Sequence, residues 1–215
     1  MTDPAVPEPP EPAALDPLLK VWPSGADLWR VHRLDRRPAE FNPGMDIGRF
    51  HPFPGSAGKP VATLYAASSW QGAVSETVFR DVPLRGPSRT KRLAEIELRA
   101  MSLLRLRREV RLVELRGTGL RRLRLQRREL IETDADQYSR TVRWAAALHR
   151  AAPRAAGLVW TSRLHDPSAA VVFFGDRVAE KDFSPVEGPI PLGAGKGLAR
   201  VMELAEEAGI LIALS

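Results

Sequence analysis

Residues 61–80 read VATLYAASSWQGAVSETVFR, and this stretch contains the clearest local pattern in the chain. Residues 61–67 are apolar and prone to β-structure, which predicts a buried strand. Ser68 or Ser69 then offers the side-chain oxygen that caps a helix N-terminus, and apolar residues recur at helical spacing over 70–80. The stretch therefore predicts a strand that carries Tyr65, followed directly by a helix that carries Glu76.

The rest of the chain has the patterns of an α+β protein. Further strands are predicted over 94–98, 104–107, 110–115, 122–125, 158–162, 170–174 and 210–214. Further helices are predicted over 133–150 and 198–208, with Gly209 at the position that closes the second one. Because the chain is long enough for one core and short for two, we expect a single domain over 16–215. Residues 1–15 are rich in Pro and Glu, so we expect a disordered arm there.

Composition excludes several classes of function. The 215 residues include no cysteine, which removes disulfides, thiolate catalysis and Cys-based zinc sites. No stretch is apolar enough for a membrane span, and residues 1–12 lack the basic and apolar regions of a signal peptide. The histidines show no metal-binding spacing either. We therefore expect a cytoplasmic protein with no membrane partner and no metal.

Basic residues are concentrated in one part of the chain. The net charge is +6, and 13 of the 32 Lys and Arg residues lie between Lys91 and Arg128. Such a density is compatible with a non-catalytic module that binds nucleic acid. The arginines of 104–107 and 122–125 alternate with leucines, which favours arginines on the solvent side of half-buried strands. We keep nucleic-acid binding as an alternative and not as the main prediction.

A set of short motifs follows in a fixed order along the chain. Arg30 comes after an apolar pair, Arg49 lies in a Gly-Arg-aromatic turn, and Tyr65 lies on the predicted strand. Glu76 lies on the helix after that strand, and Ser162 ends a late apolar strand. This order resembles the RES domain family, bacterial toxins named for their arginine, glutamate and serine.

The resemblance implies a fold, an activity and a partner. Similar proteins have an ADP-ribosyltransferase-like fold, a split β-sandwich around an NAD cleft with peripheral helices. They destroy NAD by hydrolysis or phosphorolysis, or they transfer ADP-ribose to a protein target. They are typically paired with a small Xre-like helix-turn-helix antitoxin that blocks the cleft. The sequence leaves the oligomeric state open, with a homodimer among the alternatives.

NAD cleavage would need few chemical groups. Breaking the nicotinamide–ribose bond passes through an oxocarbenium-like state, as glycosyl transfer generally does. Nicotinamide leaves as a neutral molecule, so one carboxylate suffices to stabilise the developing positive charge. The expected catalytic residues are Glu76, Arg30 and Ser162. The expected NAD-binding residues are Arg49, Tyr65 and His32, the last because it flanks Arg30.

Several of these residues have an ordinary structural alternative. Glu76 and Arg80 are spaced i,i+4 and could form a surface ion pair. Arg30 could be one half of a buried ion pair. Two positions also depart from the family pattern, since Ile47 replaces a glycine before Arg49 and Phe50-His51 replaces a Trp-Asn pair.

Overall fold

The computed structural model describes residues 6–44, 47–55, 58–83 and 89–214. Its strands are β1 (Leu19–Trp22), β2 (Asp27–Arg33), β3 (Thr63–Ala67), β4 (Thr90–Arg92), β5 (Arg99–Leu106), β6 (Val110–Glu114), β7 (Gly157–Thr161), β8 (Ala169–Phe174), β9 (Phe183–Pro191) and β10 (Leu211–Ala213). Its α-helices are α1 (Trp70–Thr77), α2 (Leu93–Glu97), α3 (Gly117–Arg122), α4 (Arg127–Leu130), α5 (Tyr138–Ala151) and α6 (Gly195–Glu207). The predicted α+β class is confirmed.

Eight of the strands form one large curled sheet in the order β1-β6-β7-β8-β3-β2-β5-β9. Its neighbouring strands are antiparallel except for β6 and β7, which are parallel. Strands β4 and β10 form a separate parallel pair. The architecture is therefore a mixed α+β fold built on a large sheet, and the split β-sandwich of the ADP-ribosyltransferases remains a prediction.

Strands β2 and β3 divide their side chains between two faces of the large sheet. Trp29 lies opposite Ala67, so these side chains share one face with Tyr65, which is two residues from Ala67. We call it the Tyr65 face. Arg30 and Leu64 occupy the alternate positions and point to the opposite face, which we call the Arg30 face.

Apolar side chains are buried on both faces. On the Tyr65 face, Trp144 of α5 and Trp160 of β7 belong to one buried cluster. Val74 of α1 and Val201 of α6 belong to a second cluster on the same face. A third cluster, which includes Leu64, lies on the Arg30 face. The Tyr65 face thus carries two separate cores, one under α5 and one under α1 and α6.

The predicted strand–helix unit of residues 61–80 is confirmed as β3 and α1. Ser69 is the N-cap of α1, and its hydroxyl accepts a hydrogen bond from the Gly72 N–H at 3.0 Å. This bond satisfies one of the N–H groups that a helix start leaves without a partner. Helix α1 therefore begins immediately after β3 and places Glu76 near the end of the sheet.

Two of the predicted strands are wrong. Residues 94–98 lie largely in α2, and residues 122–125 span the end of α3 and the turn after it, where Arg124 has φ = 57°. Alternation over four or five residues is too short to distinguish a strand from one turn of an amphipathic helix. The strand prediction over 104–107 is confirmed for β5, where Arg105 is exposed and the leucines on either side are buried.

The predicted helices over 133–150 and 198–208 are confirmed with shifted starts. Helix α5 begins at Tyr138, after a 3-10 turn, and α6 begins at Gly195. Gly209 has φ = 64° and closes α6, as expected for a left-handed residue after a helix. Within the described residues, no helix has the length and apolarity that a membrane crossing requires.

Residues 6–15, the described part of the expected disordered arm, are packed against α5. Val6 is fully buried, and the Trp144 indole N–H donates to the carbonyl of Pro7 at 2.7 Å. Arg143 forms an ion pair with Glu8 at 2.7 Å. The difference from the sequence-based expectation has a physical reason, because a Pro-rich composition disfavours regular structure but permits docking onto an existing helix.

Candidate active site

Glu76 is the centre of a hydrogen-bonded site at the end of β7. The Ser162 hydroxyl donates to Glu76 Oε1 at 2.7 Å, and the Arg163 backbone N–H donates to the same oxygen at 2.8 Å. Glu76 Oε2 has no hydrogen-bond partner among the described residues. The carboxylate is therefore fixed through one oxygen, while the other oxygen is left to accept hydrogen bonds from a ligand.

The direction of the Ser162 hydrogen bond is set by its backbone surroundings. The backbone N–H groups of Leu164 and His165 donate to the Ser162 hydroxyl oxygen at 3.2 and 3.0 Å. With its lone pairs engaged, the hydroxyl has its proton left to give, and Glu76 is the acceptor. Ser162 is fully buried. The arrangement orients Glu76 and does not suit a nucleophilic serine.

The alternative interpretation of Glu76, a surface ion pair with Arg80, is not found among the described residues. Glu76 has a hydroxyl and a backbone N–H as its partners, and both are uncharged. Its negative charge is therefore not neutralised by direct contact with a cation. Arg80 is exposed, and its charge acts on the hydroxyl of Tyr65, so it lies close to the same site.

Arg49 is buried and anchored over the Tyr65 face. Its Nη1 donates to the Thr133 carbonyl at 3.1 Å and to the Thr133 hydroxyl at 2.5 Å, and its guanidinium stacks on the Tyr138 ring at 5.3 Å. Its Nε and Nη2 have no hydrogen-bond partner among the described residues. Burial lowers the pKa of Arg49, while the negative charge of Glu76 acts against this shift. Arg49 is thus a fixed cation within electrostatic reach of Glu76.

Tyr65 links β3 to the loop that carries Arg49. Its hydroxyl accepts a hydrogen bond from the Phe50 N–H at 3.0 Å and contacts His51 Nδ1 at 3.2 Å. Burial raises the pKa of Tyr65, so it stays protonated at neutral pH. Its ring is partly exposed, and it packs edge-on against Trp160. The hydroxyl holds the loop, which leaves the ring face for a planar ligand.

The tight turn before Arg49 depends on Gly48. A side chain at this position would lie 2.4 Å from the His51 ring, closer than atoms can approach. Ile47, which replaces a glycine of the family pattern, has a side chain that is 71% exposed. The departure at Ile47 therefore meets no steric obstacle in this loop, whereas a side chain at position 48 would force the buried His51 ring to move.

The structure does not bring Arg30 and His32 to Glu76. Both lie at alternate positions of β2 that point to the Arg30 face, so the sheet separates them from the Tyr65 face. Arg30 Nη1 donates to the Pro38 carbonyl at 2.8 Å, and burial lowers the pKa of Arg30 to about 10 against the opposing charges of Glu40 and Glu180. Sequence order alone could not reveal this, because a one-residue step along a strand changes the face.

Sequence reasoning assigned no role to Arg127, Thr133 or Arg163, and these three residues organise the site. Arg127 Nη2 donates to the Ser162 carbonyl at 3.0 Å, and Arg127 Nε donates to Glu132 at 2.8 Å. Arg163 Nη1 donates to the Thr133 carbonyl at 2.7 Å, which also accepts from Arg49. Arg127 and Thr133 are far from Ser162 in sequence and fall in no motif. One sequence signal was available, since Arg163 directly follows Ser162.

The site combines the oriented carboxylate of Glu76, which is partly buried, with several arginines nearby. Arg49, Arg80 and Arg163 all lie close enough to act electrostatically on the site. Among the described residues, no group of three or more His, Cys, Asp or Glu is placed to hold a metal ion. A ligand with negatively charged groups and a hydroxyl-bearing ring that develops positive charge would match these side chains.

Comparison with known proteins supports the order of motifs found in the sequence. The model of the RES domain matches residues 27–192, which include every predicted site residue. The chain belongs to the RES domain family. A search of curated proteins finds no match to this RES domain chain.

One solved structure is similar to this RES domain protein. It is a chain of the M. tuberculosis MbcT–MbcA toxin–antitoxin complex, with 15% sequence identity and a TM-score of 0.55. The similarity covers 78% of this chain and 84% of that chain. At this identity the similarity shows a shared fold.

Proposed function

We propose that this protein is a RES-type toxin that cleaves NAD at the nicotinamide–ribose bond and is neutralised by a cognate antitoxin. The observation that carries the proposal is the carboxylate of Glu76, which is fixed through Oε1 by neutral donors and has Oε2 free for a ligand. Membership of the RES domain family supports the same activity. The catalytic unit is residues 16–215.

Glu76 would act on the ribose. Oε2 would accept hydrogen bonds from ribose hydroxyls, and its negative charge would stabilise the oxocarbenium-like state. As the bond breaks, its electron pair goes to the nicotinamide ring, which becomes neutral. Water or phosphate would then attack the ribose carbon and release a proton to solvent. Ser162 positions Glu76 throughout and takes part in no covalent step.

Arg49 and Tyr65 would bind the rest of NAD. The free Nε and Nη2 of Arg49 form the planar fork that binds phosphate oxygens in pairs, which suits the pyrophosphate. The partly exposed ring of Tyr65 offers an electron-rich face to the cationic nicotinamide. Arg30 and His32 have no part in this proposal, because they lie on the Arg30 face.

The proposed partner is an Xre-like helix-turn-helix antitoxin. The similar fold comes from a toxin that was solved together with its antitoxin. A segment of the antitoxin that covers both Oε2 of Glu76 and the neighbouring arginines would block the proposed site. Co-expression with the product of an adjacent small gene would test this, and unchanged growth inhibition on co-expression would contradict it.

The activity is tested with purified protein and NAD labelled in its ADP-ribose part. We expect release of free nicotinamide, with the label recovered as ADP-ribose if water is the acceptor and as ADP-ribose 1″-phosphate if phosphate is. Label bound to a protein would instead support the alternative, protein ADP-ribosylation at the same site. A folded protein that neither binds nor consumes NAD would contradict the proposal.

A further inference from the structure

The basic residues of the 91–128 segment do not form a continuous basic surface. Six of its arginines form ion pairs with acidic residues on neighbouring elements, namely Arg92, Arg105, Arg108, Arg116, Arg122 and Arg127. A nucleic-acid backbone needs an uninterrupted track of unpaired cations. The paired arginines leave no such track along this segment. One unpaired arginine of the segment, Arg111, lies at a surface cavity together with arginines from other parts of the chain.

Four arginines line a surface cavity of about 320 Å³ at the start of β6. They are Arg108, Arg111, Arg154 and Arg177, and we call them the arginine basin. The remaining lining includes one acidic residue, Glu109. The volume lies at the lower end of the range for small-molecule sites, which fits a compact ligand.

Two members of the arginine basin are held in place by the protein. Arg177 donates to the carbonyls of His149, Ala152 and Ala155 at the end of α5. Arg108 donates to the Arg177 carbonyl at 2.9 Å and forms an ion pair with Asp182. These bonds give the guanidinium groups of Arg177 and Arg108 partners within the protein.

The side chains of the other two members have no ion-pair partner. Arg111 and Arg154 are exposed, and neither guanidinium group forms a hydrogen bond or ion pair with another described residue. They belong to different elements, since Arg111 lies on β6 and Arg154 lies in the loop between α5 and β7. Two unpaired guanidinium groups at one cavity repel each other unless an anion lies between them.

The arginine basin is separate from the proposed catalytic site. The Ala156 N–H donates to the Arg111 carbonyl at 2.7 Å, which places the basin at the start of β7. Ser162 follows the other end of the same strand. A strand of this length separates the two places by roughly 15 Å. A ligand in the basin would therefore not occupy the proposed site at Glu76.

We infer that the arginine basin is a second ligand site, which binds a small phosphorylated anion such as a pyrophosphate-bearing molecule. A guanidinium group can bind phosphate oxygens in pairs, so two unpaired arginines at one cavity suit a ligand with two adjacent phosphate groups. The small volume of this open depression and the paired arginines around it favour a small molecule over a nucleic-acid strand. This inference does not depend on the proposed NAD cleavage.

The test is a titration of the full chain with inorganic pyrophosphate, followed by side-chain NMR of the arginine Nε–H groups. The test variant is Arg111→Gln with Arg154→Gln. The control is Arg121→Gln with Arg128→Gln, which removes the same charge from exposed arginines that lack a partner among the described residues. We expect Arg111, Arg154 and Arg177 signals to shift, and binding at these residues to weaken at least about tenfold in the test variant alone.

Three outcomes would overturn the inference. Pyrophosphate could leave the basin signals of the wild-type protein unchanged. The test and control variants could lose affinity equally, which would indicate a general charge effect. A short DNA or RNA duplex could shift the basin signals at physiological salt where pyrophosphate does not, which would indicate a nucleic-acid surface. NAD consumption should be the same in both variants, so failure of the proposed function would be seen separately.

Discussion

Arg49 and Arg30 are both buried arginines, yet they lie on opposite faces of the sheet with different neighbours. Arg30 lies near Glu40 and Glu180, and each of these acids is already paired with a surface arginine. Arg49 lies near Glu76, whose partners are a hydroxyl and a backbone N–H. The comparison teaches that a carboxylate held by neutral donors keeps its charge for a ligand, whereas an ion-paired one is already neutralised.

The largest effect is expected from Glu76→Gln. The amide oxygen can still accept the bonds from Ser162 and Arg163, so the fold should be kept, while the charge that stabilises the ribose cation is lost. We expect kcat for NAD cleavage to fall by about 100-fold or more. Glu206→Gln, an exposed change on α6 with the same loss of charge, should leave kcat unaltered. Equal turnover in both folded variants would contradict the role of Glu76.

The second prediction compares Arg49→Lys with Arg30→Lys. Each change keeps the charge and removes the planar fork. If Arg49 binds the pyrophosphate, Arg49→Lys should raise KM for NAD by about tenfold. Arg30→Lys should alter KM by less than about twofold, with any effect appearing in thermal stability instead. A larger rise in KM for Arg30→Lys than for Arg49→Lys would indicate that NAD binds on the Arg30 face.

The third prediction concerns Arg127, which holds the carbonyl of Ser162. In Arg127→Ala the end of β7 loses this support, so Ser162 and Arg163 should orient Glu76 less well. We expect kcat to fall about tenfold with KM nearly unchanged, because Arg127 bonds to the strand end and not to the ligand. A rise in KM with constant kcat would indicate direct contact with NAD.

The smallest effect is expected from His32 on the Arg30 face. Burial lowers the pKa of His32 in the folded protein below that of the unfolded chain. The unfolded state therefore binds more protons as the pH falls through about 6.5, and folding stability declines there. Thermal melts of His32→Gln between pH 7.5 and 5.5 should show a weaker decline than wild-type melts. Parallel declines would show that His32 does not contribute.

The sequence predicted local strand–helix units well, but it did not predict on which face of the sheet a side chain lies. The β3–α1 unit followed from apolar residues 61–67 and a serine N-cap, because both signals act over a few residues. The placement of Arg30 depends on strand register, and the role of Arg127 depends on a contact with Ser162 across 35 residues. Neither leaves a local pattern. The packing of residues 6–15 on α5 was missed for the same reason.

Glu76, Ser162, Arg49 and Tyr65 were predictable as a set because their order resembles a known family. Their roles in NAD cleavage are still a proposal. The structure adds the geometry that the order could not supply, above all the single anchored oxygen of Glu76. It also shows that Arg30 and His32 lie on the opposite face of the sheet and not beside that carboxylate.

The most direct test of the central claim is a crystal structure of Glu76→Gln with NAD bound, since slow turnover should preserve the substrate. We predict NAD on the Tyr65 face, with ribose hydroxyls at hydrogen-bond distance from residue 76 and the pyrophosphate at Arg49. NAD bound on the Arg30 face, or bound without contact to residue 76, would contradict the account.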